Sequence, residues 1–299
     1  MNTLKKISLV IGLLLNFSSC TLIKEKIISS EKEERPFYAY NFGLLEKQTP
    51  EEQITSLYRF GYSGITFPIA NLTDIRELDR YIPKANSLAD FKIYSVFFRY
   101  NFNQPVSFKE SWKLVIDKIQ NKNIDLWFVF GKMIQGVNQE VVEAKLREVV
   151  NYATKKGVTV VLYPHSNCYF YAAEQALPLV SKINSPNLKL AVHTCHEMRA
   201  GNGFRLDEVV MNVKEYIGAI TIAGADKTVD RRTFGTMDSS TIQPLEVGKF
   251  DYAPFLKALK KIKYKGPVGF INFNIKSKPE DYLPKSLKVW REWESKYLN

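Results

Sequence analysis

Residues 158–165 read VTVVLYPH, and residues 188–197 read LKLAVHTCHE. Each opens on a mostly apolar run of the kind found in a strand buried on both faces. Each then reaches histidine: His165 in the first, His193 and His196 in the second. Between them, residues 172–183 space their apolar side chains three and four apart, as a helix with one buried face requires. Strand, helix, strand is the parallel βαβ unit, in which the helix carries the chain back to the edge where it began.

Working outward, the same alternation fills the chain after Pro36. Earlier strands are predicted at 37–42, 64–67, 93–98 and 125–130, and later ones at 219–222 and 268–273. Helices are predicted at 51–60, 74–88, 108–120, 139–156, 206–215, 252–262 and 279–296. Thr49 ahead of Pro50, Glu51 and Glu52 is a helix start, as is Ser277 ahead of Pro279 and Glu280. Eight strand–helix units joined by right-handed crossovers close into a barrel. The expectation is therefore an α/β chain with a single (β/α)8 TIM barrel over residues 37–299. An open doubly wound sheet is the alternative, but no G-x-G-x-x-G turn follows any strand.

The first 36 residues read differently. Lys5 and Lys6 precede an apolar stretch from Ile7 to Phe17, then Ser18, Ser19 and Cys20. That is the layout of a secretory signal over 1–19, too short for a membrane span. Cys20 is the expected lipidated N-terminus, although Phe17 stands where such processing sites usually have Leu. Residues 20–36 then form a polar tether. These features predict an exported, membrane-anchored lipoprotein, facing the periplasm or the cell surface and held to the membrane through its lipid anchor.

The chain of 299 residues carries a net charge of +11, falling to +9 once residues 1–19 and their two lysines are removed. The basic residues are scattered, as in Lys257, Lys260, Lys261, Lys263 and Lys265. No arginine-rich cluster or stacking-aromatic motif marks a nucleic-acid binder, so nucleic acid is excluded as a partner. Cys168 and Cys195 have the option of pairing in an oxidising compartment or remaining free thiols.

In a βα barrel, function gathers at the carboxyl ends of the strands. All three histidines of the chain fall there: His165 after strand five, His193 and His196 after strand six. Neutral imidazole with a carboxylate is a common donor set for a divalent ion, so His165, His193, His196 and Asp226 are the expected metal ligands, for Mn, Co, Zn or Fe. His165, Glu197 and Glu246 are the candidates for catalytic proton transfer. Arg99, Lys132, Tyr163 and Gln243 at other strand ends are candidates for gripping substrate.

The segments 162–165, 188–196, 221–226, 243–251 (QPLEVGKFD) and 264–270 (YKGPVGF) together resemble the xylose-isomerase-like sugar isomerase/epimerase superfamily. The likeness covers about residues 37–295. It implies a TIM barrel acting on a carbohydrate, with one divalent metal held by two glutamates, an aspartate and a histidine, and an enediolate beside a keto group. Carried over position by position, His193 stands at the strand-six aspartate and His196 at the histidine. Asn272 stands at the strand-eight glutamate, as a substrate-binding candidate. The strand-five glutamate falls within Tyr163–His165, where there is no carboxylate. The strand-seven histidine has no counterpart. Without the two-glutamate pair, epimerisation loses its bases on opposite faces of one carbon. Lyase or hydratase chemistry on a 3-keto sugar, as in related exported barrels, fits the sequence equally well. The alternative is a lipid-anchored barrel that binds carbohydrate without changing it. A phosphodiester-cleaving enzyme of the same superfamily binds several metals through many histidines and carboxylates, and the three histidines of this chain are too few.

Overall fold

A computed structural model describes residues 34–41, 48–227 and 241–299. The signal segment, Cys20 and most of the tether lie outside the described residues. Residues 34–299 form one compact unit. Eight parallel strands close on themselves in sequence order, as expected. They are β1 (Phe37–Tyr40), β2 (Gly64–Ile69), β3 (Lys92–Tyr100), β4 (Asp125–Phe130), β5 (Val160–Leu162), β6 (Leu188–His193), β7 (Ile217–Ile222) and β8 (Val268–Phe270). Around them run α1 (Pro50–Arg59), α2 (Leu72–Asn86), α3 (Val106–Lys109), α4 (Trp112–Ile119), α5 (Gln139–Lys155) and α6 (Ala173–Ile183). The circuit ends with α7 (Thr194–Glu197), α8 (Leu206–Val213), α9 (Ala253–Lys261) and α10 (Pro279–Trp293).

The differences from expectation are local. The helix predicted over 108–120 is two, α3 and α4, broken where the Ser111 hydroxyl donates to the Phe108 carbonyl at 2.6 Å. Thr49 does cap α1: its hydroxyl accepts from the Glu52 amide while the Glu52 carboxylate accepts from the Thr49 amide. Ser277 does not cap α10. Pro279 occupies the first helical position, so the cap falls on Lys278, which makes no side-chain cap bond.

Strand side chains alternate between two environments. In β3, Val96, Phe98 and Tyr100 face the helices, whereas Phe97 packs inside the barrel. In β4, Leu126, Phe128 and Phe130 go outward and Trp127 and Val129 inward. The interior is filled by an aromatic plug. Trp127 stacks on Tyr163 with centroids 5.1 Å apart, and Phe97 meets Tyr163 edge-on at 5.5 Å. Lower down, Tyr38 stacks on Tyr94 at 4.6 Å. Gly269 of β8 makes room for that pair, since a Cβ there would lie 2.7 Å from the Tyr38 ring. Above this plug a cavity opens at the carboxyl ends of the strands.

Candidate active site

The same alternation aims the site. Val161 and Tyr163 point into the barrel, and His165 continues their parity two residues on. On β6, Ala191 points inward, followed at two-residue steps by His193 and Cys195. The strand then turns into α7, and one helical turn returns His196 to the side of His193. The three imidazoles therefore meet. Ring centroids are 3.9 Å apart for His165 and His196 and 4.3 Å for His193 and His196, with Tyr163 5.2 Å from His193. They line one cavity of about 790 Å³ at the mouth, with Arg99, Lys132, Tyr163, Ser166, Cys195 and Arg199 among its walls.

Hydrogen bonds assign His165 a tautomer. Its Nδ1 lies 2.8 Å from the Ser166 carbonyl, which can only accept, so Nδ1 carries the proton. The lone pair on Nε2 then faces Arg99 Nη2, 3.2 Å away. Burial pushes the His165 pKa down to about 3, helped by the Arg99 charge. Burial likewise drives His193 and His196 well below the usual histidine range, with the neighbouring histidines and Arg199 adding to it. All three are neutral at physiological pH, as metal ligands must be.

Three donors lie within 4.8 Å of one another: His193, Cys195 and His196. The Cys195 sulfur is 3.6 Å from His193 Nε2 and 3.7 Å from His196 Nδ1. A thiolate and an imidazole bound at about 2.3 and 2.1 Å to one tetrahedral centre would be about 3.6 Å apart. The spacing fits a soft divalent ion, and two nitrogens with one sulfur is a donor set suited to zinc. His193 Nδ1, buried, has no hydrogen-bond partner. His196 Nδ1 also meets the Ser166 hydroxyl at 2.9 Å. Burial raises the Cys195 thiol to about 12, a cost that a coordinated cation removes by taking the thiolate. His165 stands outside this trio, its two nitrogens directed at Ser166 and Arg99.

The structure brings Arg99, Lys132, Tyr163, His165, His193 and His196 to the cavity. It does not bring Asp226, Gln243, Glu197, Glu246 or Asn272 there. Asp226 accepts from the Gln243 amide at 2.5 Å, and Gln243 is fixed by a two-way backbone bridge to Gly224. Glu246 accepts from the Ser286 hydroxyl at 2.7 Å, and that hydroxyl accepts from the Leu245 amide, tying the loop to α10. Glu197 is buried the other way: it accepts from the Ala173 amide at the start of α6 and from the Asn202 side chain, both at 2.7 Å. Burial holds its pKa up to about 7. Asn272 shares the parity of Val268 and Phe270, whose side chains pack toward the helices, and its buried amide atoms find no partner.

Cys195 and Arg199 are the groups that sequence reasoning left out of the site. Cys195 stands two residues after His193, the strand period, and Arg199 three after His196, the helical one; either spacing carries the signal. Cys168 and Cys195 are unpaired thiols. Arg199, 1% exposed, donates from Nε to the Thr241 hydroxyl at 2.7 Å.

A family model described as the xylose isomerase-like TIM barrel matches residues 126–293. An L-ribulose 3-epimerase of Methylomonas sp. (strain DH-1) is 26% identical over 151 residues, 50% of this chain and 46% of that protein. The chain's match thus spans about half the length of this curated relative. Among solved structures, the IOLI protein with a bound zinc atom superposes with a TM-score of 0.69 at 18% identity, covering 88% of this chain and 99% of that one. D-psicose 3-epimerase with D-tagatose from Clostridium cellulolyticum H10 gives 0.67 at 12%, covering 89% and 100%. The 3-keto-D-glucoside 4-epimerase from E. coli gives 0.65 at 12%, covering 87% and 100%. These structural likenesses concern the fold, whereas the family model spans more than half the chain and includes β5, β6 and the histidine cluster. The chain belongs to the xylose isomerase-like TIM barrel family.

Proposed function

We propose that this chain is an enzyme that moves a proton beside the carbonyl group of a small carbohydrate. The observation that carries the reading is the convergence of every histidine in the chain, with Cys195 and Arg99, on one cavity at the catalytic end of the barrel. The sugar epimerases among the related proteins support the substrate class. His193, Cys195 and His196 would hold a divalent ion, zinc matching the donors best. Such an ion supplies Lewis-acid polarisation of a substrate oxygen when bound.

The chain's own residues supply the rest. Arg99 Nη2 is the hydrogen-bond donor to His165 Nε2. A substrate oxygen that takes over that donor leaves the Nε2 lone pair exposed to the cavity and draws off the Arg99 charge that helps hold the His165 pKa down; the imidazole then accepts a proton from carbon as the C–H electron pair passes to the carbonyl. Tyr163, 2% exposed, floors the site. Among the described residues no carboxylate lines the cavity, so none of them supplies an acid–base pair on opposite faces of one carbon. This favours a single-base reaction, either a shift between neighbouring carbons or an elimination and its reverse, over a two-base epimerisation. The same absence gives the second reading, a barrel that binds carbohydrate without turnover.

The test joins metal content to activity. Elemental mass spectrometry of the purified chain should find near-stoichiometric divalent metal, lost at least tenfold in Cys195→Ser and His193→Ala. Turnover across keto sugars and 3-keto-glycosides should stop with chelator. A metal-free parent that binds sugars but changes none of them would overturn the enzyme reading in favour of the binding barrel.

A further inference from the structure

The walls of the cavity are unbalanced in charge. Arg99, Lys132 and Arg199 all line it, and among the described residues no Asp or Glu does. Arg199 is anchored to Thr241. Arg99 is different. Its contacts are the His165 ring nitrogens, at 3.2 and 3.4 Å, and the Phe97 ring, 5.9 Å from its guanidinium carbon. None of these is an anion, and its buried Nε has no hydrogen-bond partner. Lys132 is exposed and makes no ion pair with a described residue. Elsewhere, partly buried cations find carboxylates readily, as Arg205 does with Glu174 at 2.6 Å and Lys145 with Glu110 at 3.1 Å. Both groups line the same cavity from neighbouring strands: Arg99 lies near the end of β3, paired with Val129 of β4, and Lys132 follows two residues after the end of β4.

A guanidinium with an unused buried donor, beside an ammonium and without a carboxylate, is complementary to an anion. A neutral sugar offers hydroxyls but no charge to match the partly buried Arg99 guanidinium. We propose that the substrate carries an anionic group, a carboxylate or a phosphate, gripped by Arg99 and Lys132 on the β3–β4 side of the mouth. The reacting carbons then lie toward His165 and the β5–β6 side. The proposal rests on the functional reading above for the place of the chemistry, and adds the class of substrate. It also gives the Arg99–His165 contact a use: an anion that draws the guanidinium to itself is the substrate oxygen that exposes His165 Nε2.

Calorimetric titration at low salt tests this with three probes: D-glucose, D-glucuronate and inorganic phosphate. One or both anions should bind saturably and at least tenfold more tightly than glucose. Arg99→Gln and Lys132→Gln should each weaken the anion by about tenfold, the effect of losing one charge-assisted hydrogen bond, and weaken glucose by a smaller factor. Glucuronate alone binding assigns a carboxylate; phosphate alone assigns a phosphate. Lys132 is exposed, so its variant keeps the test alive if Arg99→Gln fails to fold by circular dichroism. Anions that bind no better than glucose, or bind equally well to the Lys132 and Arg99 variants, overturn the proposal. Turnover of neutral sugars without anion binding would overturn it while sparing the enzyme reading. Anion binding without any turnover would do the reverse.

Discussion

Among the described residues, two sides of the barrel mouth use their polar groups in opposite ways. On the β3–β6 side, Arg99, Lys132, His165, His193 and His196 all face one cavity, and the buried Arg99 Nε and His193 Nδ1 have no partner. On the β7–β8 side, Asp226 binds Gln243, Glu246 binds Ser286, and Asn272 is turned toward the helix layer. Both sets sit at strand ends. A polar residue there becomes a site residue only if strand parity aims it inward and no neighbour has already claimed its hydrogen bonds.

The largest expected effect falls on the first side. His165→Ala should lower turnover by about 10²–10⁴-fold, the usual contribution of one acid–base group, with circular dichroism unchanged. An active His165→Ala enzyme would remove the base from that side and break the contrast. A middle-sized effect belongs to Glu197, which stands in the sequence of the site but is bonded behind it. Glu197→Ala leaves the buried Ala173 amide without its acceptor, and should cost about 1–3 kcal/mol, roughly 2–6 °C in Tm. An unchanged Tm with lost turnover would instead make Glu197 a chemical participant. The smallest effects are expected on the second side. Asp226→Ala and Glu246→Ala should change turnover less than about twofold and stability by less than about 1 kcal/mol. A large loss of turnover in either would erase the distinction.

The barrel was readable because eight buried strands announce themselves as apolar runs, and closure follows from their number. The histidine cluster was readable for the same reason, since each histidine ends such a run. Less was readable where partners decide. Nothing in the string GADK around Asp226 tells that Gln243, 17 residues later, donates to it. Glu197 adjoins His196 in sequence, yet its carboxylate accepts from an amide 24 residues earlier. Cys195 was missed as a donor because a cysteine between two histidines was weighed for a disulfide, when the two-residue step from His193 already aimed it at the same space. Asn272 needed only the parity count from Phe270 to be set apart.

The aromatic plug beneath the histidines has an optical consequence. Of the four tryptophans, Trp112 and Trp290 pack in the helix layer and Trp293 lies against it, while Trp127 stands inside the barrel, stacked on the Tyr163 ring that meets His193. Its emission is set by a floor that water barely reaches and whose far side is the histidine-lined cavity. A ligand settling on that floor, or a charge appearing among the imidazoles, alters the field across one indole. The protein thus carries its own fluorophore, joined to the cavity through the phenol rings of Tyr163 and Tyr40, and its occupancy can be followed in real time without any added label.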